Sequence, residues 1–239
     1  MAALTPDDPL LVAGRVVVVD ACSALDVIRI PVRPEWTADA TSVEQVLSTA
    51  DNRSALLLAI PAVIEAEFEK HRQGAAEEVL NTLRKHHNTL TAEAKAMADM
   101  LKRCRLTAAE LPAIDVPTAW PLTLTERFVD LASTLHAALR VLPHDDTDVS
   151  PAYARVVRGL APAVKGAASM NDSTLCEMAL RIARQRPVGT TGLLTSNTSD
   201  FRPGGSLHPD LAADYASAGL VDLPTWRDAA RFVTAPPTD

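Results

Sequence analysis

The sequence predicts an α/β fold in which a mainly parallel central sheet is flanked by helices. Short apolar runs occur at residues 16–19, 56–60, 192–196 and 219–223, and helical patterns lie between and after them. Strands that alternate with helices favour a parallel sheet, because each helical crossover returns the chain to the same edge. Only 4% of the residues are aromatic and 9 are glycines, which argues against an all-β sandwich with many tight turns.

The four runs have the features of strands that lead into helices or turns. The VVVV run is continuously β-branched, as is typical of a strand covered on both faces, and a helical pattern begins directly after Asp20. The LLLAI run ends at Pro61, whose fixed φ suits the first turn of the helix that follows. The GLLTS run precedes the turn-rich segment NTSDFRPGG, and the GLVDL run precedes a final helical pattern.

The middle of the chain has a different periodicity. Apolar residues recur at alternating steps of three and four over 80–104 and again over 124–142, which is typical of helices that pack along a seam. We predict two long helices joined by a Pro-containing connection at 107–121 and packed as an antiparallel helical hairpin. No flexible linker flanks this part, so we expect a helical insertion at about 75–145 within a single domain covering 1–239.

The composition excludes several classes of protein. Apolar residues make up 47% of the chain and charged residues 22%, which excludes disorder as the main state. No apolar run reaches the roughly 18 residues that a membrane span needs, and the first residues lack the pattern of a secretory signal. We therefore expect a cytoplasmic protein that does not bind membranes.

Charge and cysteine content narrow the choice further. The net charge of −7 argues against broad attraction to nucleic acid, yet residues 70–105 and 151–186 each carry an excess of basic residues. Cys22, Cys104 and Cys176 are too widely spaced to suggest a zinc ribbon or a redox pair. The two segments rich in basic residues leave open a locally basic surface on an acidic protein.

Four acidic residues lie where a parallel sheet collects its ligands, near the carboxyl ends of strands. They are Asp20 after the first run, Glu67 in the helix after the second, Asp172 at the start of a later helix, and Asp200 in the turn after the third. If folding gathers these carboxylates, their repulsion requires a cation, and oxygen ligands suit Mg²⁺ or Mn²⁺. Such a site indicates phosphate chemistry.

Each of these residues also has a purely structural interpretation. Asp20 and Asp172 could simply begin the helices in which they lie. Glu67 lies between Glu65 and Glu69 and could belong to a solvated charged face. Asp200 could be an ordinary turn residue. The metal hypothesis depends on the four acting together.

The segments VVVVDACSAL, IPAVIEAEF, KGAASMNDSTLCEMAL and LLTSNTSDF, in this order, resemble the four acidic motifs of the PIN-domain nucleases. The resemblance covers about 16–73 and 160–223. It implies a compact α/β protein that holds Mg²⁺ or Mn²⁺ with three or four carboxylates and cuts RNA, less often DNA. Typical single-domain members are shorter, so the helical insertion has no counterpart in the minimal fold.

The resemblance implies that Asp20, Glu67, Asp172 and Asp200 are the catalytic and metal-binding residues. Asn197 precedes Asp200 by three residues, and either could be the last group near the metal. Polar residues close to these positions are candidates for orienting substrate or water, although ordinary turn or surface roles stay open for them: Ser23, Lys165, Thr195, Ser196, Asn197 and Arg202.

The function that follows is a metal-dependent endoribonuclease, either a toxin or an RNA-processing factor, which hydrolyses RNA phosphodiester bonds. One alternative is a catalytically silent PIN-like module that binds an inhibitor or scaffold protein. Another is a nuclease specific for DNA or for a nucleic-acid structure. If the two helices of the predicted hairpin cover each other's apolar surface, we expect a monomer. If part of that surface stays exposed, a homodimer is favoured.

Overall fold

Parallel strands form the central sheet of the computed structural model, which describes residues 8–104, 117–143 and 146–236. The strands in these ranges are β1 (Arg15–Val19), β2 (Leu56–Pro61), β3 (Arg140–Leu142), β4 (Thr191–Leu194) and β5 (Leu220–Leu223). Their order across the sheet is β3-β2-β1-β4-β5, and every neighbouring pair is parallel. The predicted α/β fold with a parallel sheet and flanking helices is confirmed.

Helices cover both faces of this sheet. The α-helices are α1 (Pro9–Val12), α2 (Ala21–Arg29), α3 (Trp36–Ala50), α4 (Ala62–Arg103), α5 (Trp120–Ala138), α6 (Asp146–Arg158), α7 (Met170–Arg184), α8 (Thr198–Phe201), α9 (Pro209–Ala218) and α10 (Trp226–Thr234). Val16 to Val19 of β1 are fully buried, although alternate side chains of a strand point to opposite faces. Both faces of the central strand are therefore packed against helices.

The topology brings three chain segments to one edge of the sheet. β1 lies between β2 and β4, and its Val19 is in register with Leu194, the last residue of β4. Because the strands are parallel, the residues that follow β1, β2 and β4 all emerge at the same edge. Asp20 follows β1, α4 follows β2, and Thr195 follows β4.

The middle of the chain differs from the expectation in two ways. α4 is a single helix of 42 residues that begins directly after β2, so the helix predicted after Pro61 and the first helix of the hairpin are continuous. The range 75–145 also contains β3, which pairs with β2 and had been assigned to the second helix. A strand of three residues is too short for an alternating pattern, and Leu139 and Leu142 have helical spacing.

α4 and α5 run antiparallel over the first half of α4. Nη2 of Arg72 donates to Oγ of Ser133 over 3.0 Å, and Nε1 of Trp120 donates to Nδ1 of His87 over 3.2 Å. Beyond His87 the predicted seam is open among the described residues, with Leu90 47% exposed. Most of the predicted connection lies outside the described residues, so an inserted hairpin stays a prediction. None of the described helices is long and apolar enough to cross a membrane.

Candidate active site

Asp20 lies at the end of β1 with only 2% of its surface exposed. It occupies the N-cap position of α2, but its side chain makes no capping hydrogen bond. Instead, Oδ2 of Asp20 accepts a hydrogen bond from the hydroxyl of Thr195 over 2.7 Å. The Asp20 carboxylate is thus held by the end of β4, and the backbone of Ala21 and Cys22 at the start of α2 also interacts with it.

Glu67 and Asp172 approach the same edge from two different helices. Glu67 lies in the second turn of α4, and Asp172 lies in the first turn of α7. Asn171, next to Asp172, places its Nδ2 3.4 Å from Oε2 of Glu67. The start of α7 therefore rests against α4, and the two carboxylates line one open cavity of about 410 Å³.

The pKa values show that these acidic groups share one electrostatic environment. Burial raises the pKa of Asp20 to about 6, opposed by the Thr195 hydrogen bond and reinforced by the charge of Glu67. Burial and the charges of Asp20, Asp200 and Glu67 raise the pKa of Asp172 to about 7. Gathered carboxylates disfavour each other's ionised form, and a bound cation would reverse this effect.

Cys22 gives a second indication that the carboxylates face a common region. Burial is the main cause that raises the pKa of the Cys22 thiol to about 12, and the charges of Asp20, Asp172 and Glu67 add to it. The thiol is therefore protonated near neutral pH and is not an activated nucleophile. A mechanism in which the Cys22 thiolate acts as the nucleophile is therefore disfavoured at this edge.

Asp200 differs from the other acidic residues because it is paired with a lysine of the same chain. Nζ of Lys165 lies 2.7 Å from Oδ1 of Asp200, and Nδ2 of Asn197 donates to Oδ2 over 3.1 Å. Burial opposes ionisation of Asp200, but the hydrogen bonds from Lys165 and Asn197, together with the charge of Lys165 and a hydrogen bond from Ser199, hold the pKa below its ordinary value. Asp200 is already neutralised by Lys165, so a metal ion would have to displace or share that lysine.

Arg202 supports the end of the sheet in this structure. Only 5% of it is exposed, Nη1 donates to the Thr195 carbonyl over 2.8 Å, and Nε donates to Asp222 over 3.1 Å. Since Asp222 belongs to β5, the guanidinium joins the ends of β4 and β5. The predicted contact of Arg202 with phosphate would require these buried bonds to break, so its position favours a structural role.

The hydroxyl and amide candidates build the loop after β4. Oγ of Ser23 accepts a hydrogen bond from the backbone N–H of Ser196 over 2.9 Å. The N–H of Asn197 donates to the Thr195 hydroxyl over 3.2 Å, and the Asn197 side chain caps α8. For Ser23 and Ser196, the turn bonding left open by the sequence is what the structure contains. Asn197 also contacts the acidic residues, because its side chain donates to Asp200 and its hydrogen bond to Asp172 lowers the pKa of that carboxyl.

Sequence reasoning missed Lys70, His71 and Asn171, which line the same cavity as Glu67 and Asp172. A signal for two of them was available. Lys70 and His71 lie three and four residues after Glu67, a spacing that places side chains on one face of a helix. Asn171 could have been found only from the packing of α7 against α4.

The donor set has the chemistry that a hard cation needs, since carboxylate oxygens are the groups that Mg²⁺ and Mn²⁺ prefer. Among residues 8–104, 117–143 and 146–236, however, no three His, Cys, Asp or Glu side chains are grouped so that they could hold a metal ion. The chain matches no protein-family model, no curated protein and no solved structure. Function must therefore be argued from the geometry and from the acidic motifs.

Proposed function

We propose that this protein is a cytoplasmic, metal-dependent endoribonuclease that hydrolyses RNA phosphodiester bonds beside Asp20, Glu67 and Asp172. The observation that carries the proposal is the convergence of these carboxylates, which come from three separate elements, on one edge of the sheet, where the charge of Glu67 acts on both Asp20 and Asp172. Burial is the main cause that raises the pKa of Asp20 to about 6 and that of Asp172 to about 7, and the neighbouring charges add to it. The resemblance of the acidic segments to the PIN-domain nucleases supplies the preference for RNA.

The residues that would hold Mg²⁺ or Mn²⁺ are Asp20 and Asp172, with Glu67 contacting the ion directly or through water. Waters would complete the ligand set, as is usual for Mg²⁺ in phosphate-processing sites. A bound ion of this kind lowers the pKa of a water and offsets charge on the phosphate oxygens. Hydrolysis of the type found in the family leaves 5′-phosphate and 3′-hydroxyl ends.

The neighbouring residues have orienting roles in this proposal. Thr195 holds the Asp20 carboxylate, and Arg202 in turn binds the Thr195 carbonyl. The Lys165 side chain is 56% exposed while it is paired with Asp200, and its charge also interacts with Asp172. Lys165 is therefore positioned to contact a phosphate oxygen at the rim, and Asp200 acts by holding Lys165 in place.

A catalytically silent binding module is the second candidate. It is favoured by the pairing of Asp200 with Lys165 and by the lack, among the described residues, of three side chains grouped for a metal. In such a module the carboxylates would bind a basic segment of an inhibitor or scaffold protein. Cleavage of nucleic acid by the full chain would distinguish the nuclease from this binding module.

The test is cleavage of RNA and DNA strands of the same sequence by the full chain, with Mg²⁺, with Mn²⁺ or with a chelator. We expect metal-dependent cleavage of RNA that falls by at least about a hundredfold in Asp20→Asn and in Asp172→Asn. Asp99→Asn, on the exposed far part of α4, is the matched control and should leave the rate unchanged. Cleavage that survives in both site variants, or no cleavage of either strand, would contradict the proposal.

A further inference from the structure

A cavity of about 410 Å³ opens beside the proposed cleavage site, between α4 and the start of α7. This volume lies within the range typical of small-ligand sites. Its lining combines carboxylates, a lysine, a histidine, an amide and three small apolar side chains. The lining residues are Val63, Ala66, Glu67, Lys70, His71, Ala168, Asn171 and Asp172.

Lys70 differs from the other cations close to this edge because its charge is unpaired. Lys165 is bound to Asp200 over 2.7 Å, and Arg72 is bound to Glu69 over 3.0 Å. Within the part of the chain that the structure describes, Lys70 makes no ion pair, not even with Glu67 three residues before it on the same helix. His71 is likewise exposed, and its ring has no hydrogen-bond partner among those residues.

We propose that this cavity is the subsite for the nucleotide that flanks the cleaved phosphodiester bond, and that Lys70 and His71 contact the phosphate of that nucleotide. The inference rests on the proposed function and adds the direction in which the strand leaves the site. The strand passes from Asp172 to the part of α4 that carries Lys70 and His71, and does not continue along the helix to Lys85.

Charge is the first reason for this assignment. A nucleic-acid strand that enters a site lined by Glu67 and Asp172 brings several phosphates, and a metal ion offsets charge only at the phosphate it contacts. The next phosphate needs a positive group of its own. Lysine and other side-chain N–H donors are the usual protein contacts to backbone phosphates. Lys70 is the unpaired cation that the cavity offers.

The apolar part of the lining is the second reason. Val63, Ala66 and Ala168 are small side chains next to the polar wall. Their size leaves room for a ribose or a base, whose apolar faces would cover them. A site that combines a lysine, an amide and small apolar residues suits a nucleotide better than it suits an isolated anion.

The chain contains its own matched control on the same helix. Lys85 and His86 repeat the Lys-His order of Lys70 and His71, and both are exposed. They lie fifteen residues further along α4, about 22 Å away at 1.5 Å per residue. Replacing this second pair removes the same charge from the same helix without touching the cavity.

The test is equilibrium binding of a fluorescent single-stranded RNA to the full-length Asp20→Asn protein in Mg²⁺, so that affinity is measured without turnover. Lys70→Ala/His71→Ala should raise the Kd about tenfold and reduce the slope of log K against log salt by about 0.7 for each lost phosphate contact. Lys85→Ala/His86→Ala should change the Kd by less than about twofold, and Lys70→Arg with His71 intact should stay near the parent because the charge is kept.

Equal effects of the two double variants, or no measurable binding of RNA, would overturn the subsite. Cleavage by the wild-type chain is scored separately. Binding that depends on Lys70 and His71 in a protein that cuts no RNA would leave the subsite standing and would contradict only the proposed hydrolysis. Far-ultraviolet circular dichroism of each variant shows whether α4 has been kept.

Discussion

The hydroxyl of Thr195 donates to Oδ2 of Asp20 over 2.7 Å, and this bond joins the adjacent ends of β4 and β1 at the proposed site. Both residues are almost fully buried. A hydrogen bond to a charged group contributes about 1.5–3 kcal/mol, which is enough to fix one rotamer of the carboxylate. The orientation of the first acidic residue therefore depends on a residue that is far from it in sequence.

Thr195→Val should lower kcat by about tenfold or more, because it removes this donor and keeps the side-chain volume. Loss of the donor should also raise the pKa of Asp20, since the hydrogen bond lowers it. The acidic limb of the pH–rate profile should accordingly shift to higher pH. Thr195→Ser keeps the hydroxyl and is the control. Wild-type kinetics in Thr195→Val would refute an orienting role.

Stability without divalent ions should depend on pH through Asp172. Its pKa in the folded chain is about 7 against an ordinary value of 3.8, so the folded state binds the extra proton between these values. The stabilisation that this extra proton gives to the folded state is therefore complete below about pH 4 and is lost as the pH rises through 7. The free energy of unfolding of the wild-type chain in chelator should fall over this window.

Asp172→Asn should remove that part of the pH dependence. The full shift corresponds to about 4 kcal/mol, and after allowance for solvent and for coupling to Asp20 we expect the variant to be about 2 kcal/mol more stable than the wild type at about pH 8. Urea denaturation at about pH 5 and pH 8 measures the difference. Asp99→Asn should follow the wild type, and parallel profiles for Asp172→Asn and the wild type would show that the pKa of Asp172 is not raised in the folded chain.

Lys165→Met should raise the pKa of Asp200, because the lysine hydrogen bond is the leading group that holds it down. The titration of the Asp200 carboxyl carbon by ¹³C NMR measures this directly. Lys165→Arg keeps a cation at the same place and should hold the pKa low. An unchanged titration in Lys165→Met would mean that the ion pair is not formed in solution.

Arg202→Leu should destabilise the fold by about 3 kcal/mol, because it leaves the Thr195 carbonyl and Asp222 without their buried partner. Arg227, a half-exposed cation paired with Asp39, provides the comparison, and Arg227→Leu should cost less than about 1 kcal/mol. The two variants are compared by chemical denaturation. A structural role for Arg202 further requires that the salt dependence of RNA binding stays unchanged in Arg202→Leu at temperatures where it is folded.

The sequence was sufficient for the parts of the fold that have a strong local pattern. β1 and β2 are continuous apolar runs, and burial on both faces of a parallel sheet requires that composition. β3 could not be recognised, because a short strand at the edge of the sheet needs only Leu142 buried and leaves Val141 43% exposed. Its position is determined by pairing with β2, which is a tertiary contact.

The candidate site likewise combines features that a local sequence pattern predicts with features that depend on tertiary contacts. The position of Asp20 at the carboxyl edge of the sheet was predictable because it directly follows β1, whereas Asp172 begins α7 and was singled out by its acidic motif. The pairing of Lys165 with Asp200 joins residues 35 positions apart, and no local pattern encodes it. Likewise, the burial of Arg202 follows from its contact with β5, whereas its sequence position suggested a surface residue beside Asp200.

Joint binding of a divalent ion by Asp20, Glu67 and Asp172 is tested by calorimetric titration of the full chain with Mn²⁺. Because the pKa values of Asp20 and Asp172 are raised to about 6 and about 7, binding near pH 6.5 should release about one proton per ion, visible as a binding enthalpy that varies with the ionisation heat of the buffer. Asp20→Asn and Asp172→Asn should each weaken binding by at least about tenfold, and Asp99→Asn should leave it unchanged. Absence of Mn²⁺ binding, or equal affinity in all four proteins, would contradict the account.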